Sequence, residues 1–253
     1  MILATQWDLL EWRLAIVLFG FAALTSCTIA PPNRETKGAV PAPPSETEGS
    51  LESREARLRI VVLGDSLTAG LGVSPEDAYP AKLQARVNAA GYAFEVVNAG
   101  VSGDTTAGGL RRLDWSLAGG ARILIVALGA NDGLRGLPVE QMKANLEAVI
   151  TYAIERGVEV LLAGMEAPPN FGGSYVDGFR AVFHDLAAKY NIVFLPFLLE
   201  GVAGVPELNQ PDGIHPNAQG ADRVAAYLWV TLEPMLARKV DDVDAIVQVP
   251  RRM

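Results

Sequence analysis

Five short apolar runs, separated by longer amphipathic segments, constrain the fold of this chain more than any other feature. Each run has four to seven residues with at most one charged residue, and most are rich in β-branched side chains. Such runs are typical of strands that are covered on both faces of a sheet. Their alternation with helical segments predicts a parallel sheet between two helical layers, which is a three-layer α/β/α fold. The predicted strands are 59–64, 94–98, 122–128, 158–163 and 192–195.

Two stripes of apolar residues at helical spacing support this prediction. The first has members at positions i, i+3, i+4 and i+7 and is followed by Gly157, a residue type that favours helix termination. The second has similar spacing and lies near the end of the chain. The stripes consist of Leu146, Val149, Ile150 and Ala153, and of Val224, Tyr227, Leu228, Leu232 and Met235.

Four polar clusters lie where predicted strands end or where the last predicted helix begins. In parallel α/β sheets, ligand sites form beyond the carboxyl ends of the strands. We therefore expect the four clusters to meet at one edge of the sheet. They are 64–67 (GDSL), 98–105 (NAGVSGDT), 128–136 (LGANDGLRG) and 212–217 (DGIHPN).

Composition and charge argue against several classes of protein. The net charge of −8 disfavours nucleic-acid binding, because no basic face is available for phosphate contacts. One cysteine and two histidines are too few for an intrachain disulfide or for the usual metal centres. The glycine-rich clusters match neither of two nucleotide-binding patterns, GxGxxG and GxxxxGK(S/T). We expect no metal, no cofactor and no nucleic-acid partner.

Ser66 follows the first predicted strand directly, in a Gly-Asp-Ser turn. A serine hydroxyl is a weak nucleophile at neutral pH, so catalysis needs a base, a group that orients the base, and donors for the oxyanion. Only His184 and His215 are available as a histidine base. His184 lies in a helical stretch, 175–190, where a surface position is the usual environment of a histidine. The structural alternative for Ser66 is a cap of the following helix.

Taken together and in this order, the four clusters resemble the sequence blocks of the SGNH, or GDSL, hydrolase family. The resemblance covers residues 59–237. The strings SGDT, GxNDGLRG, LPxF and DGIHPN are similar to the arylesterase and acyl-thioesterase/lysophospholipase branch of that family. The resemblance implies a flavodoxin-like, five-stranded parallel sheet with the site at its carboxyl edge. One departure is Ala130, where several relatives carry glycine.

The resemblance assigns roles to five residues. It implies that Ser66 is the nucleophile, His215 the base and Asp212 the carboxylate that orients this base. Such a carboxylate holds one histidine tautomer and stabilises the imidazolium. The implied oxyanion donors are the N–H of Gly103 and the side-chain amide of Asn131, and the N–H of Ser66 itself can join them, as nucleophile amides do in other serine hydrolases. The structural alternative for Gly103 is a turn glycine, and that for Asn131 is a cap in a loop.

Three further aspartates lie inside these clusters, and we expect them to brace loops rather than to react. A short carboxylate beside a turn commonly accepts hydrogen bonds from nearby backbone N–H groups. These aspartates are Asp65, Asp104 and Asp132.

Apolar residues in the loops after the later strands are candidates for a substrate pocket. Relatives use the loop that corresponds to 167–175 to shape an acyl pocket. Ordinary core and loop packing is the alternative for these side chains. An apolar acyl chain suits such a lining better than a sugar acetyl ester. The candidates are Leu134, Phe171, Tyr175, Pro196, Phe197 and Leu198.

The predicted function is a serine esterase that hydrolyses carboxylic esters or thioesters through an acyl-enzyme, of the arylesterase, lysophospholipase or acyl-thioesterase type. One alternative is a carbohydrate or peptidoglycan O-acetylesterase. An alternative from another class is a lipoprotein that binds acylated ligands without hydrolysing them. The intact set of Ser66, Asp212, His215 and Asn131 argues against this last alternative. The oligomeric state is left open.

The N-terminal part of the chain resembles a bacterial lipoprotein signal. An apolar segment, 14–24, is too short to span a bilayer comfortably as a helix and suits a signal peptide. The sequence Leu-Thr-Ser-Cys that follows it resembles the lipoprotein processing site, which implies that Cys27 is lipidated. A departure is the acidic start of the chain, with Asp8 and Glu11 against Arg13. The alternative for Cys27 is a buried free thiol.

These features predict how the chain is organised. We expect 1–26 to be a signal peptide, or an uncleaved anchor, and 27–57 to be the lipidated cysteine with a disordered tether rich in Pro, Glu and Ser. We expect 58–239 to form the hydrolase domain and 240–253 a disordered tail. The expected location is a bacterial cell envelope, where the lipid holds the protein facing the periplasm or the exterior.

Overall fold

The computed structural model describes residues 58–247, with side chains through residue 238. The predicted signal peptide 1–26 and the segment 27–57 with Cys27 lie outside the described residues. Within the described part of the chain, no helix is both long enough and apolar enough to cross a membrane.

A five-stranded parallel sheet forms the centre of the described chain. The strands are β1 Leu58–Gly64, β2 Phe94–Gly100, β3 Ile123–Ala127, β4 Glu159–Ala163 and β5 Val193–Leu195. Their order in the sheet is β2-β1-β3-β4-β5, so the first strand lies inside the sheet between β2 and β3. All five predicted strands are observed, and their ends differ from the prediction by at most two residues.

Eight α-helices accompany the sheet in residues 58–247. They are α1 Ser66–Ala69, α2 Tyr79–Ala89, α3 Thr106–Arg111, α4 Leu113–Leu117, α5 Ala130–Leu134, α6 Val139–Glu155, α7 Gly173–Tyr190 and α8 Ala218–Val247. Helix α2 packs against α8, while α6 packs against α3 and α7. The predicted three-layer α/β/α fold with a parallel sheet is therefore confirmed.

The central strand β3 and its neighbour β1 form the most deeply buried part of the sheet. Residues 60–63 of β1 and 123–127 of β3 are completely buried. Because helices cover both faces, apolar side chains occupy consecutive positions along these strands instead of alternate ones. The carboxyl ends of both strands lead directly into the polar clusters that follow them.

Both predicted helical stripes contribute to the core. The four members of the first stripe are fully buried in α6, and the second stripe lies in α8 with only Tyr227 partly exposed. Helix α8 runs through Val247 and so enters the segment 240–253 that was predicted to be disordered. Residues 235–247 contain neither glycine nor proline, so no strong helix breaker stops the helix earlier.

Candidate active site

Ser66 is placed at the carboxyl edge of the sheet by β1. The strand ends at Gly64, Asp65 follows, and Ser66 is the first residue of α1. The side chain of Asp65 caps this helix, because its Oδ1 accepts the N–H of Leu67 at 3.0 Å. Asp65 thus takes the capping role that was the alternative for Ser66, and the Ser66 hydroxyl is available for other contacts.

Two glycines allow α1 to lie close against the strand ends. A Cβ on Gly64 would collide with the side chain of Thr68, and a Cβ on Gly100 would collide with the backbone of Ala69. Asn98 adds a hydrogen bond from its Nδ2 to Thr68 O at 2.8 Å. The short helix α1 is therefore fixed against the ends of both β1 and β2.

The structure brings Ser66, His215 and Asp212 into one chain of hydrogen bonds. His215 Nε2 lies 2.9 Å from Ser66 Oγ, although the two residues are 149 positions apart in the sequence. His215 Nδ1 lies 2.8 Å from Asp212 Oδ2. When Nδ1 carries the proton and donates it to the carboxylate, Nε2 has a lone pair that can accept the serine proton.

Asp212 is held as a carboxylate by three N–H donors. Its Oδ2 faces the His215 ring, and its Oδ1 accepts the backbone N–H groups of Ile214 and His215, each at 3.0 Å. The hydrogen bond from the His215 ring has the largest effect, and together these bonds lower the pKa of Asp212 to about 2. The charged carboxylate favours the tautomer in which His215 carries its proton on Nδ1.

Gln210 joins the loop that contains His215 to the segment that follows α1. Its Nε2 donates to Leu71 O at 2.7 Å and to Pro216 O at 3.0 Å. Its backbone N–H donates to His215 O at 2.8 Å. Sequence reasoning did not identify Gln210, because a glutamine in a loop has no spacing or composition signal that predicts such contacts.

Asn131 lies beside Ser66 and is oriented by Asp65. Its Nδ2 donates to Asp65 Oδ2 at 3.3 Å, and its side chain belongs to the wall of a cavity at Ser66. An amide nitrogen carries two N–H groups, so one remains for a ligand. Asp65 is fully buried, and this burial raises its pKa to about 6, although hydrogen bonds from Leu67 and Asn131 oppose the shift.

Gly103 lies on the loop between β2 and α3. This loop begins against the end of β1, since Val101 N donates to Gly64 O at 3.1 Å. Gly103 has a φ of +82°, which suits glycine, and its carbonyl accepts a hydrogen bond from Arg135 at 2.9 Å. Gly103 is exposed and does not belong to the cavity wall, whereas Asn131 does.

The other two aspartates of the polar clusters brace loops, as predicted. Asp132 is buried and accepts the backbone N–H of Thr106 at 2.8 Å and its hydroxyl at 2.7 Å. Asp104 forms an ion pair with Arg112 at 2.6 Å. In the part of the chain that the structure describes, no three His, Cys, Asp or Glu side chains are grouped so that they could hold a metal ion.

Arg112 supports the strand ends and was not identified from the sequence. Its side chain is largely buried, and besides pairing with Asp104 it donates to Ala99 O at 2.7 Å and to Gly64 O at 2.8 Å. These carbonyls belong to the second-to-last residue of β2 and the last residue of β1, so Arg112 fixes the point from which α1 starts. No sequence pattern distinguishes Arg112 from the adjacent Arg111.

His184 lies away from this chain of hydrogen bonds. It is exposed on α7, and its ring packs edge-on against Phe194 with 4.8 Å between the ring centroids. The predicted surface position of His184 is confirmed. Of the two histidines, His215 is the one that contacts Ser66.

A cavity of about 230 Å³ opens beside Ser66 and His215. Its few polar groups include Glu166, which forms two hydrogen bonds of 2.7 Å with the guanidinium of Arg180. Most of the wall is apolar, which suits a hydrocarbon chain better than a sugar. The apolar part of the wall includes Leu134, Met165, Ala167, Phe197, Leu199 and Ile214.

The cavity wall differs from the predicted substrate pocket. Leu134 and Phe197 line the cavity, but Phe171, Tyr175 and Pro196 do not. Met165 and Ala167, which directly follow β4, take their place in the wall.

The predicted pocket residues that do not line the cavity make other contacts. The Tyr175 hydroxyl donates to Leu137 O at 2.9 Å, and the Tyr175 ring packs on Phe171 with 5.3 Å between centroids. Pro196 follows β5, and its backbone packs against the end of β4. Leu198 is fully buried in the core. Tyr175, Pro196 and Leu198 thus serve loop and core packing, which was the alternative for them, while Phe171 packs on Tyr175 and remains 40% exposed.

Comparisons with known proteins agree with this geometry. The model of the GDSL-like Lipase/Acylhydrolase family matches residues 62–223, a span that includes Ser66, Asp212 and His215. Esterase TesA of Pseudomonas aeruginosa is 42% identical over 187 residues, which cover 74% of this chain and 93% of that protein. The crystal structure of TesA superposes with a TM-score of 0.67 and 42% identity, covering 70% of this chain and 98% of that one.

Two further relatives carry related activities in their names. An arylesterase of Vibrio mimicus is 35% identical over 175 residues, which cover 69% of this chain and 88% of that protein. The thioesterase 1/protease 1/lysophospholipase L1 of Escherichia coli is 36% identical over 178 residues, which cover 70% of this chain and 84% of that protein. From the family match, these identities and the shared fold, we conclude that the chain belongs to the GDSL-like lipase/acylhydrolase family.

Proposed function

We propose that this chain hydrolyses carboxylic esters and thioesters through an acyl-enzyme formed on Ser66. It is an ester-bond hydrolase of the arylesterase/thioesterase type. The observation that carries the proposal is the position of His215, whose ring nitrogens lie 2.9 Å from Ser66 Oγ and 2.8 Å from Asp212 Oδ2. A serine that contacts a histidine base, itself oriented by a carboxylate, is an activated nucleophile.

In the acylation step, Ser66 Oγ attacks the carbonyl carbon of the ester while His215 Nε2 takes the serine proton. Asp212 keeps the imidazole in the required tautomer and stabilises the positive imidazolium that forms. The tetrahedral intermediate then collapses, and the imidazolium gives its proton to the leaving alcohol or thiol. The acyl group remains bound to Ser66 as an ester.

In the deacylation step, a water molecule attacks the carbonyl carbon of the acyl-enzyme while His215 Nε2 takes a proton from that water. The second tetrahedral intermediate releases the carboxylic acid, and Ser66 Oγ regains a proton from the imidazolium. The enzyme returns to its starting state without a cofactor.

We assign stabilisation of the oxyanion to three N–H groups around Ser66. The Ser66 N–H begins α1, where the first turn offers no acceptor within the helix. Asn131 has one amide N–H left after its hydrogen bond to Asp65. The N–H of Gly103 is the third donor that we propose, from the loop that starts at the end of β1. Each such donor typically contributes about 10²–10³ to turnover.

The cavity supports an acyl chain as the bound part of the substrate. Its wall is mostly apolar and its volume is about 230 Å³. Pockets for drug-sized ligands typically measure roughly 300–1,000 Å³, so this cavity suits a smaller group. We propose acyl chains of short to medium length, with the alcohol or thiol part outside the cavity.

We further propose that the protein is a lipoprotein of the bacterial cell envelope, facing the periplasm or the exterior. The support comes from the sequence alone, in the apolar segment 14–24 and the Leu-Thr-Ser-Cys that ends at Cys27. Two acyl chains on one cysteine would anchor a protein stably. An intact mass that begins at Cys27 and includes a diacylglyceryl group would support this proposal, whereas an unmodified chain from Met1 would contradict it.

Hydrolysis of p-nitrophenyl esters and acyl-CoA thioesters of increasing chain length tests the proposed function. We expect an optimum at short to medium chains and a loss of at least about 10⁴-fold in Ser66→Ala. A steep preference for acetate would favour a carbohydrate O-acetylesterase instead. Absence of Ser66-dependent turnover on every ester and thioester would contradict the proposal and favour a protein that only binds acylated ligands.

A further inference from the structure

Eight large apolar side chains are exposed among the residues whose side chains the structure describes. Five of these eight lie in the segments that follow the strands at the carboxyl edge, and each strand contributes one. We name these five residues the apolar ring. They are Leu71 after β1, Val101 after β2, Leu134 after β3, Phe171 after β4 and Ile214 after β5.

The apolar ring lies at the edge of the sheet where the cavity opens, and two of its members, Leu134 and Ile214, line the cavity. The loop after β3 donates a hydrogen bond to the loop after β2, from Arg135 to Gly103 O at 2.9 Å. The same loop packs against the ring of Phe171 in the loop after β4. The loop after β5 donates to Leu71 O, after β1, through Gln210 at 2.7 Å. These contacts link the loops after β2, β3 and β4 to each other and the loop after β5 to that after β1. The cavity wall, which contains both Leu134 and Ile214, joins the two sets.

The other three exposed apolar side chains do not share this placement. Trp115 lies on α4, Ile154 on α6 and Val230 on α8. Trp115 and Val230 are exposed by 76% and 71%, more than any member of the apolar ring. Single exposed apolar side chains are ordinary on protein surfaces, whereas a group of them at one edge of the fold, beside a cavity, is typical of an interaction site.

Charge argues against an anionic partner at this edge. The loops around the cavity carry the exposed carboxylates Glu76, Glu200 and Glu207, against the exposed cation Arg135. The chain as a whole has a net charge of −8. An acidic membrane or an acidic protein would be repelled, while a neutral surface with an apolar interior would not.

We propose that the apolar ring docks on a neutral lipid surface and so turns the cavity mouth toward the acyl chains of lipid-borne esters. The exposed parts of the five side chains would enter the boundary between headgroups and acyl chains. This transfer is favourable in proportion to the apolar area that is removed from water. The inference rests on the proposed esterase function for its substrate, although docking itself needs no turnover.

The part of the chain before Leu58 is long enough to permit this orientation. It joins the domain at the start of β1, on the edge of the sheet opposite the apolar ring. The 30 residues 28–57 span about 100 Å when fully extended. A domain of this size has a diameter of roughly 40 Å. A lipid on Cys27 would therefore leave the apolar ring free to reach the same membrane.

A fluorescence experiment on the full chain tests the docking. Cys27→Ser removes the one native cysteine, so that a single introduced cysteine can carry an environment-sensitive nitrobenzoxadiazole dye. Val101→Cys places the dye in the apolar ring, and Val230→Cys places it at an exposed valine on α8. With vesicles of phosphatidylcholine, we expect a blue shift and an increase of at least about twofold at position 101, and neither at position 230.

Three outcomes of this experiment would overturn the proposal. They are equal responses at both positions, no response at 101 with a folded protein, and a response that disappears in high salt. The last outcome would indicate electrostatic attraction instead of apolar contact. Leu71→Cys provides a second position in the apolar ring if the label at 101 disturbs folding.

A second measurement compares one ester in two states, dissolved as a monomer and embedded in vesicles. We expect the pair Leu71→Ser and Val101→Ser to lower turnover of the embedded ester by about tenfold. Turnover of the monomeric ester should stay within about twofold, and the control pair Trp115→Ser and Val230→Ser should change neither. Equal losses on both forms would contradict docking. If the unaltered protein hydrolyses neither form, the proposed function fails, while the dye response still decides the docking.

Discussion

Asp65 and Asn131 are joined by a hydrogen bond of 3.3 Å between Asn131 Nδ2 and Asp65 Oδ2, directly beside Ser66. One of these residues precedes the proposed nucleophile, and the other is a proposed donor to the oxyanion. An ionised carboxylate only accepts hydrogen bonds, so the amide must turn its N–H side toward Asp65. The buried carboxylate thereby decides which way the Asn131 amide faces.

Asp65→Asn should therefore lower kcat by about 10²-fold with little change in KM, because the oxyanion would lose one donor. The new amide can still accept the N–H of Leu67, but its own NH₂ group would face the NH₂ group of Asn131 and force that side chain to turn. Steady-state kinetics on a p-nitrophenyl ester measure this effect, with Asp177→Asn as an exposed control. A kcat within about threefold of the unaltered enzyme would show that Asp65 does not orient Asn131.

The raised pKa of Asp65 also leads to a prediction of how the stability of the fold depends on pH. Burial raises its pKa from 3.8 to about 6, so the folded chain holds this proton more tightly than the unfolded chain does. The contribution of Asp65 to the free energy of unfolding should therefore increase as pH falls from about 6 to about 4, by at most about 3 kcal/mol. Asp212 acts in the opposite sense. Because its pKa is lowered from 3.8 to about 2 in the folded chain, its contribution to the free energy of unfolding is lost as the pH falls through this range.

Urea unfolding at two pH values measures this contribution. Between pH 7 and pH 4.5, the unaltered protein should gain about 2 kcal/mol relative to Asp65→Asn, which cannot titrate. Relative to the exposed control Asp177→Asn, which keeps Asp65, the unaltered protein should show no such gain. A relative loss on acidification would mean that Asp65 is stabilised as a carboxylate in the folded chain.

The two histidines offer a matched pair for testing the proposed base. His215→Ala should lose at least about 10⁴-fold in kcat, because Ser66 would have no group to take its proton. His184→Ala should keep kcat within about twofold, since His184 lies exposed on α7 against Phe194. Steady-state turnover of a p-nitrophenyl ester at saturating concentration provides the measurement. Equal losses in both variants would refute the assignment of His215.

Arg112 and the adjacent Arg111 form a second matched pair. Arg112→Met leaves Asp104 partly buried without its ion-pair partner and the ends of β1 and β2 without a donor. We expect a loss of about 3 kcal/mol in the free energy of unfolding. Arg111→Met, at an exposed position, should cost less than about 0.5 kcal/mol. Similar midpoints of urea unfolding for the two variants would contradict the role of Arg112.

The sheet could be predicted from the sequence because its strands are covered on both faces. In β1 and β3 consecutive apolar residues are required, and that pattern is visible without knowledge of any neighbour. The end of α8 was predicted less well. A segment with several charges at a chain terminus reads as a tail, yet the backbone continues as a helix through Val247.

The candidate site could be predicted where its residues lie in short segments with few alternatives. Asp212 and His215 are three positions apart, and strand topology brings their loop to the same edge as Ser66. The cavity wall could not be predicted in this way. Phe171 and Tyr175 pack on each other, while Met165 and Ala167 line the cavity. Only tertiary packing decides which of these side chains face the cavity.

Ser66 follows the end of the first strand, whereas His215 belongs to the loop before the last helix, 149 positions beyond Ser66. A chain whose synthesis has not reached His215, or one shortened before that residue, therefore holds the nucleophile without its base. Recovery of turnover during refolding should accordingly report when the loop with His215 docks beside Ser66. We expect an unfinished chain of this kind not to hydrolyse esters, because Ser66 has no base.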